Sequence, residues 1–280
     1  MIIKAKNLIN EWIPPIFRRL YYRSIRRVGY FDNYPTWEAA RKASTGYDSN
    51  LILERVRDAQ LKIKNGEAVY ERDSVIFDKV QYSWPLLAAL LWIASQNGNR
   101  LSIIDFGGSL GSSYFQNRSF LKHLAELHWS IVEQEKFVQC GCELFADETL
   151  HFYNTVDECM DEKNPDTVLL SSVLPYLEHP YDLLAEIIEK GFDYIIIDRT
   201  PLINGTGDRL TVQRVPPEIY EACYSAWMLS KQKLFSIFSK DYELIVEFDA
   251  LAGVVDLGDD TAHDKGFILR KKQSVLVREQ

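Results

Sequence analysis

The chain has 280 residues, of which 46% are hydrophobic and 26% are charged. This composition is typical of a folded globular protein and excludes a disordered or fibrous chain. The net charge of −8 argues against a broad contact surface for nucleic acid. The N-terminus shows no apolar signal-peptide core and the four cysteines form no C-x-x-C pair. We therefore expect a cytoplasmic protein without a metal site.

The N-terminus differs in charge from the rest of the chain, because residues 1–31 carry seven Lys or Arg residues and one acid. Residues 14–31 follow the pattern of an amphipathic helix. Arg19, Arg23, Arg26 and Arg27 share one face of it, and with Arg18 they are the candidates for membrane contact. Such a helix either docks on the body of the protein or binds an anionic membrane surface, which would make the protein peripheral to the inner membrane.

Up to residue 98 the sequence predicts an N-terminal helical extension. Residues 36–40 have the features of a capped helix start, and apolar residues recur at helical spacing over 50–64. A third helix is predicted over 83–95, where Asn-Gly follows as an end signal.

From residue 99 to residue 280 short apolar runs alternate with helix-length segments, which predicts a doubly wound α/β domain. The candidate strands are 101–106, 129–132, 151–153, 167–171, 193–197, 242–248 and 266–270. The last two are close enough in sequence to form a hairpin. We therefore predict a mostly parallel seven-stranded sheet with an antiparallel last strand.

A glycine-rich turn follows the first of these strands. It does not have the G-x-G-x-x-G spacing of dinucleotide-binding turns. Instead it places Asp105, Gly107, Ser109 and Gly111 in an acid-x-Gly-x-small-x-Gly pattern. Glycines let the backbone approach a ligand closely, and the next helix presents its N-terminus. Asp105 can accept hydrogen bonds from amides of the turn or reach a ligand ammonium through water.

An acid also ends the second strand, at Glu133. A carboxylate in this position can accept hydrogen bonds from both hydroxyls of a ribose. The turn and Glu133 together predict a nucleoside-bearing cofactor. The alternative is a flavodoxin-like sheet whose turn binds another ligand or none.

The order of these motifs, followed by the stretch Ser171–Pro180, resembles the class I S-adenosylmethionine-dependent methyltransferases, which have a Rossmann-like fold. More narrowly, the chain resembles methyltransferases found among genes for bacterial surface polysaccharides, namely lipopolysaccharide and capsule. That likeness rests on Trp37–Ala40 before Gly46-Tyr47, on Ile197–Pro201 and on Pro216–Tyr220. It implies S-adenosylmethionine as the cofactor and a small molecule, sugar or glycan precursor as the acceptor.

The superfamily resemblance also implies contacts to the cofactor. The residues expected to cradle its methionine and ribose are Asp105, Gly107, Gly108, Ser109 and Gly111, and those expected beneath it are Ser171 and Ser172. Glu133 would hold the ribose hydroxyls and Gln134 would line the adenine. Tyr153 or Asn154, after the third strand, would flank the adenine ring.

Catalytic candidates follow the fourth and fifth strands, because ligands bind at the carboxyl edge of such sheets. Tyr176 and His179 follow the fourth strand, and Asp198 and Arg199 follow the fifth. Histidine exchanges its proton near neutral pH, which makes His179 a candidate general base. His179 before Pro180 is equally typical of a helix start.

The acceptor side is less defined by the sequence. Asp198 and Arg199 either form a structural ion pair, or Arg199 holds an anionic sugar or phosphate, helped by Arg209 and Arg214. Three aromatic residues either wall the acceptor pocket or pack as core, and these are Tyr220, Tyr224 and Trp227.

Two other functions fit the same fold. One is an NAD-dependent oxidoreductase that modifies sugars, although the sequence lacks both G-x-G-x-x-G and a Tyr-x-x-x-Lys pair. The other is a scaffold that keeps the methyltransferase fold without catalysis. The intact glycine turn and Glu133 argue against a loss of cofactor binding.

Overall fold

The structure is a computed structural model that describes residues 28–45, 49–72, 74–215 and 222–273. The five arginines of the predicted amphipathic helix, Gly46-Tyr47 and Pro216–Tyr220 lie outside the described residues. Residues 29–31, which the sequence assigned to the end of the amphipathic helix, instead form a short strand. The backbone pairing of this strand with residues 212–214 overrides the local helical pattern.

The helices described are α1 (Trp37–Lys42), α2 (Ser49–Lys64), α3 (Trp84–Gln96), α4 (Ser112–Leu121), α5 (Glu135–Leu144), α6 (Val156–Lys163), α7 (Pro180–Lys190) and α8 (Lys231–Phe238), with a 3-10 turn at Leu174–Tyr176. The strands described are β1 (Gly29–Phe31), β2 (Tyr70–Arg72), β3 (Val75–Phe77), β4 (Arg100–Phe106), β5 (Glu126–Val132), β6 (Leu150–Tyr153), β7 (Thr167–Ser171), β8 (Tyr194–Ile203), β9 (Arg209–Arg214), β10 (Cys223–Ser230), β11 (Tyr242–Asp256) and β12 (Thr261–Lys271).

The seven predicted strands form one twisted sheet in the order β6-β5-β4-β7-β8-β12-β11. The strands from β6 to β8 are parallel, and β12 runs antiparallel to both β8 and β11. This confirms the predicted fold class, a doubly wound, mostly parallel α/β sheet with an antiparallel last strand.

Helix α3 packs directly on this sheet. Its Leu90 and Ile93 are fully buried in one core cluster with Leu101 and Ile103 of β4. The helix is apolar on most sides, as expected of an element buried in the core rather than lying on the surface. The stretch before residue 99 therefore contributes a packing layer to the α/β domain.

Three strands form an antiparallel extension that the sequence did not predict, in the order β1-β9-β10. Strand β7 pairs with the first half of β8 and ends at Ser171, opposite Asp198. Beyond that point, the end of β10 pairs with the last residues of β8. The extension therefore lies beyond the carboxyl end of β7. On β10, Trp227 stacks on Trp37 and Tyr224 meets Tyr176 edge-on, so both aromatic residues pack against other rings.

A short hairpin, β2–β3, precedes α3 and contacts α4 through hydrogen bonds from Ser112 and Gln116. Within the residues described, no helix combines the length and apolar character needed to cross a membrane.

Candidate active site

The turn after β4 is built from residues with left-handed backbone conformations. Gly107, Ser109 and Gly111 have φ values of 69°, 56° and 97°. A Cβ atom on Gly107 would lie 2.7 Å from Cγ2 of Val173, so this position requires glycine for space as well as for conformation. At Gly108 a Cβ atom would lie 2.6 Å from a side-chain carbon of Asp105. The turn is therefore packed tightly against the ends of β4 and β7.

Asp105 ends β4 beneath this turn and is almost fully buried. The indole N–H of Trp129 donates a hydrogen bond to its Oδ2 at 3.2 Å. Burial raises the pKa of Asp105 to about 7, against the opposing effects of the Trp129 hydrogen bond and the charge of Arg199. A cation bound at the turn would favour the ionised form of this carboxyl group.

Glu133 leaves β5 beside Gly107, whose amide donates a 2.9 Å hydrogen bond to the carbonyl oxygen of Val132. The Glu133 carboxylate accepts a 2.8 Å hydrogen bond from the amide of Gln134. Burial raises the pKa of Glu133, and the amides of Gln134 and Ser109 lower it. The structure therefore brings the glycine turn and the acid together, as the two adjacent parallel strands predict.

The adenine side of the predicted site lies at the ends of β5 and β6. Gln134 and Asn154 are exposed at the starts of the loops that follow these strands. Tyr153 is buried in the core, where burial and a hydrogen bond with Glu162 raise the pKa of its hydroxyl. Of the two alternatives after β6, Asn154 is the residue whose side chain is accessible to a ligand.

A β-bulge interrupts the middle of β8. Asp198 and Arg199 together face a single residue of β12, Gly266, and Arg199 has a left-handed φ of 50°. Bulges redirect side chains that would otherwise alternate between the two faces of a sheet. Here both side chains reach Ser171 at the end of β7, which donates to Oδ2 of Asp198 at 2.9 Å and accepts from Nε of Arg199 at 3.1 Å.

Asp198 is 2% exposed, and its Oδ1 has no hydrogen-bond partner among the residues that the structure describes. Burial raises the pKa of Asp198, while the charge of Arg199 and the hydrogen bond from Ser171 lower it. This side chain lines a crevice whose enclosed part has a volume of about 20 Å³. The crevice is therefore lined by a buried carboxyl group with one unpaired oxygen and by an adjacent cation.

Ser172 adds to the backbone strain at this edge of the sheet. Its φ is 58°, and its amide donates to the carbonyl oxygen of Asp198 at 3.0 Å. Ser109 in the turn after β4 and Arg199 at the bulge within β8 also adopt left-handed conformations. Such strain is concentrated at functional sites in proteins, which supports a ligand site at this edge.

Tyr176 and His179 do not line the crevice at Asp198. The hydroxyl of Tyr176 donates a 2.9 Å hydrogen bond to Oε1 of Gln213 on β9. The His179 side chain is 70% exposed at the start of α7, and Oε1 of Glu178 lies 4.0 Å from its Nε2. The structure therefore brings Ser171, Asp198 and Arg199 together and leaves His179 on the surface.

The three candidate anion-binding arginines are also separated. Arg209 donates to Oδ1 of Asp259 at 2.7 Å, and the centre of the Arg214 guanidinium lies 4.6 Å from the centroid of the Phe31 ring. Of the three, Arg199 is the one that lines the crevice.

The sequence reasoning missed the contribution of hairpin β2–β3. Glu71 is 3% exposed and accepts a 2.7 Å hydrogen bond from the hydroxyl of Ser112, the first residue of α4. The neighbouring residues Tyr70 and Arg72 line the crevice with Asp198. The one available signal was an acid within a short stretch of strand-forming residues, which is too weak to identify a site.

Comparisons with known proteins give structural likenesses only. No family model matches the chain, and no curated protein matches it. The N-terminal domain of EvdMO1, crystallised in the presence of SAH and D-fucose, is similar at 15% identity and a TM-score of 0.44, covering 81% of this chain and 98% of that chain.

Two further solved structures are similar. The 1,6-didemethyltoxoflavin-N1-methyltransferase of Burkholderia thailandensis, with bound S-adenosylhomocysteine, matches at 14% identity and a TM-score of 0.40, over 82% of this chain and 92% of that one. Magnesium protoporphyrin IX methyltransferase from Synechocystis PCC 6803 matches at 11% identity and a TM-score of 0.43, over 80% and 100%. At these values the fold assignment rests on the strand order described above, not on the likenesses.

Proposed function

We propose that the protein is an S-adenosylmethionine-dependent methyltransferase. The observation that carries the proposal is the placement of Glu133 against the glycine turn, at the ends of two adjacent parallel strands. Dinucleotide-binding sheets add a sixth strand beyond the fifth and carry a G-x-G-x-x-G turn. Here an antiparallel strand, β12, lies next to β8, and the turn has a different spacing, so both features argue against NAD.

The charges at this edge of the sheet fit the proposed cofactor. S-adenosylmethionine supplies an activated methyl group on a positively charged sulfur, and its methionine part carries an ammonium group. Two buried carboxyl groups, those of Asp105 on β4 and Asp198 on β8, and the partly buried carboxyl group of Glu133 after β5 lie on strands of the same parallel sheet. A bound cation offsets the cost of ionising such groups.

The same residues suggest how the chain assists methyl transfer. Asp198 would accept the proton of an acceptor hydroxyl through its unpaired Oδ1, while Ser171 and Arg199 orient its other oxygen. We place the base at Asp198 rather than His179 because Asp198 is buried in the crevice and His179 is exposed.

We propose a sugar or sugar-linked precursor of a bacterial surface polysaccharide as the acceptor. Support comes from the resemblance over Ile197–Pro201, a segment that includes the bulge within β8. Arg199 would hold a phosphate or carboxylate group of the acceptor. The basic segment 14–31 would bring the protein to an anionic membrane surface where such precursors are lipid-linked.

Calorimetric titration with S-adenosylmethionine tests the proposal. Replacing Glu133 by Gln removes the charge that would receive the ribose hydroxyls, and we expect binding to weaken by about 1.5–3 kcal/mol, or roughly 10- to 150-fold. Glu135→Gln, on an exposed residue of α5, is the matched control and should bind as the parent does. Absence of binding by the parent protein, or equal binding by Glu133→Gln, would overturn the proposal.

A further inference from the structure

A second cavity lies between α2, hairpin β2–β3 and α4. Its volume is about 190 Å³, and the polar residues in its lining include Gln60, Glu71, Tyr82, Ser112 and Arg118. Liquid water occupies about 30 Å³ per molecule, so this space holds about six waters or one small organic ring. The cavity shares Tyr70, Ser112 and Gln116 with the crevice at Asp198, and the two are therefore neighbours.

Gln60 is the least expected residue in this cavity. It is fully buried, and within the described part of the chain neither Nε2 nor Oε1 of its carboxamide has a hydrogen-bond partner. It occupies a position in the apolar stripe of α2, between buried Ala59 and Ile63. A buried amide without partners destabilises a protein, so its presence is explained most simply by a ligand that completes it.

Glu71 supplies a second fixed polar group. Its Oε1 accepts from the amide of Ser74 and its Oε2 accepts from the hydroxyl of Ser112, both at 2.7 Å. These two hydrogen bonds hold the carboxylate in place at the wall of the cavity.

An aromatic cluster marks the rim of the cavity. Tyr82 lines the cavity, and its ring centroid lies 4.8 Å from that of Trp84 and 5.3 Å from that of Phe120. Trp84 is 60% exposed and Phe120 is 40% exposed. Exposed aromatic rings beside a concave surface are typical of ligand-binding sites.

We propose that this cavity binds the ring of a sugar. A carboxamide offers one donor and one acceptor side by side, which matches two neighbouring hydroxyl groups, one donating to Oε1 and the other accepting from Nε2 of Gln60. The apolar face of the ring packs on Tyr82 and Trp84. The ring would be a sugar unit of the acceptor, a role that rests on the proposed function although the binding itself does not.

The test is saturation-transfer NMR and calorimetry with a panel of methyl glycosides of common hexoses, using Gln60→Met and the exposed control Gln139→Met. We expect Gln60→Met to bind at least about 10-fold more weakly, because two hydrogen bonds are lost. It should also unfold at an equal or higher temperature than the parent, because no buried amide is left unpaired. Gln139→Met should bind as the parent does.

Trp84→Ala provides an independent variant, since the exposed side chain contributes little to folding, and it should also weaken binding. No binding of any glycoside by the parent, or binding unchanged in both Gln60→Met and Trp84→Ala, would indicate a cavity that holds water only and would overturn the inference. S-adenosylmethionine titrated into the same samples separates the two proposals, since Gln60→Met should retain cofactor binding.

Discussion

The pH dependence of stability provides a detailed test of the buried carboxyl group beneath the glycine turn. The pKa of Asp105 is about 7 in the folded protein, compared with 3.8 for an ordinary aspartate. Because the buried carboxyl group of Asp105 is more stable protonated, its contribution to the free energy of unfolding is largest below pH 3.8. This contribution is lost as the pH rises through 7, where the group ionises in the folded protein. Linkage then gives a loss of about 2.5 kcal/mol in the free energy of unfolding between about pH 5 and about pH 8.

Asp105→Asn removes this titration and keeps an acceptor for the indole of Trp129. Because other groups also titrate, the quantity to compare is the difference in unfolding free energy between parent and variant, from urea denaturation at both pH values. We expect this difference to shift in favour of the variant by about 2.5 kcal/mol from the lower to the higher pH. Asp161→Asn controls for the lost charge on an exposed residue of α6. A difference that is the same at both pH values would refute the reasoning.

Three further predictions concern the turn, the base and the N-terminus. Gly107→Ala should lower the free energy of unfolding, measured by urea denaturation, by at least about 1–2 kcal/mol from the left-handed φ alone. Adding Val173→Ala to the same chain relieves the steric clash and should therefore recover only the part of the loss due to that clash. Asp198→Asn should reduce methyl transfer roughly 10²–10⁴-fold in a single-turnover assay, whereas His179→Ala should leave it unchanged; the reverse order would place the base at His179. Deletion of residues 1–27 should abolish sedimentation with anionic liposomes and leave cofactor affinity intact, whereas equal pelleting of the shortened chain would exclude a membrane contact.

The central sheet and its turn could be predicted from the sequence because their signals are local. Continuous apolar runs such as residues 101–106 identify strands buried on both faces. The spacing of glycines after Asp105, and the acid at Glu133, are also readable along the chain. Parallel pairing then places both at one edge of the sheet without further information.

Other features depend on contacts between distant residues and could not be predicted in this way. Strand β1 forms because it pairs with β9, which lies some 180 residues further along the chain. The bulge at Asp198 and Arg199 results from the register with β12, and that register is not visible in either strand alone. Gln60 did leave a signal, as a polar residue in the apolar stripe of α2, but only the structure reveals a cavity around it.

The most direct test of the account is calorimetric titration of the parent protein with S-adenosylmethionine and NAD side by side. The account predicts saturable binding of S-adenosylmethionine and of its demethylated product, with no comparable response to NAD, because Glu133 and the non-dinucleotide turn form the site. Tight binding of NAD without any response to S-adenosylmethionine would contradict it.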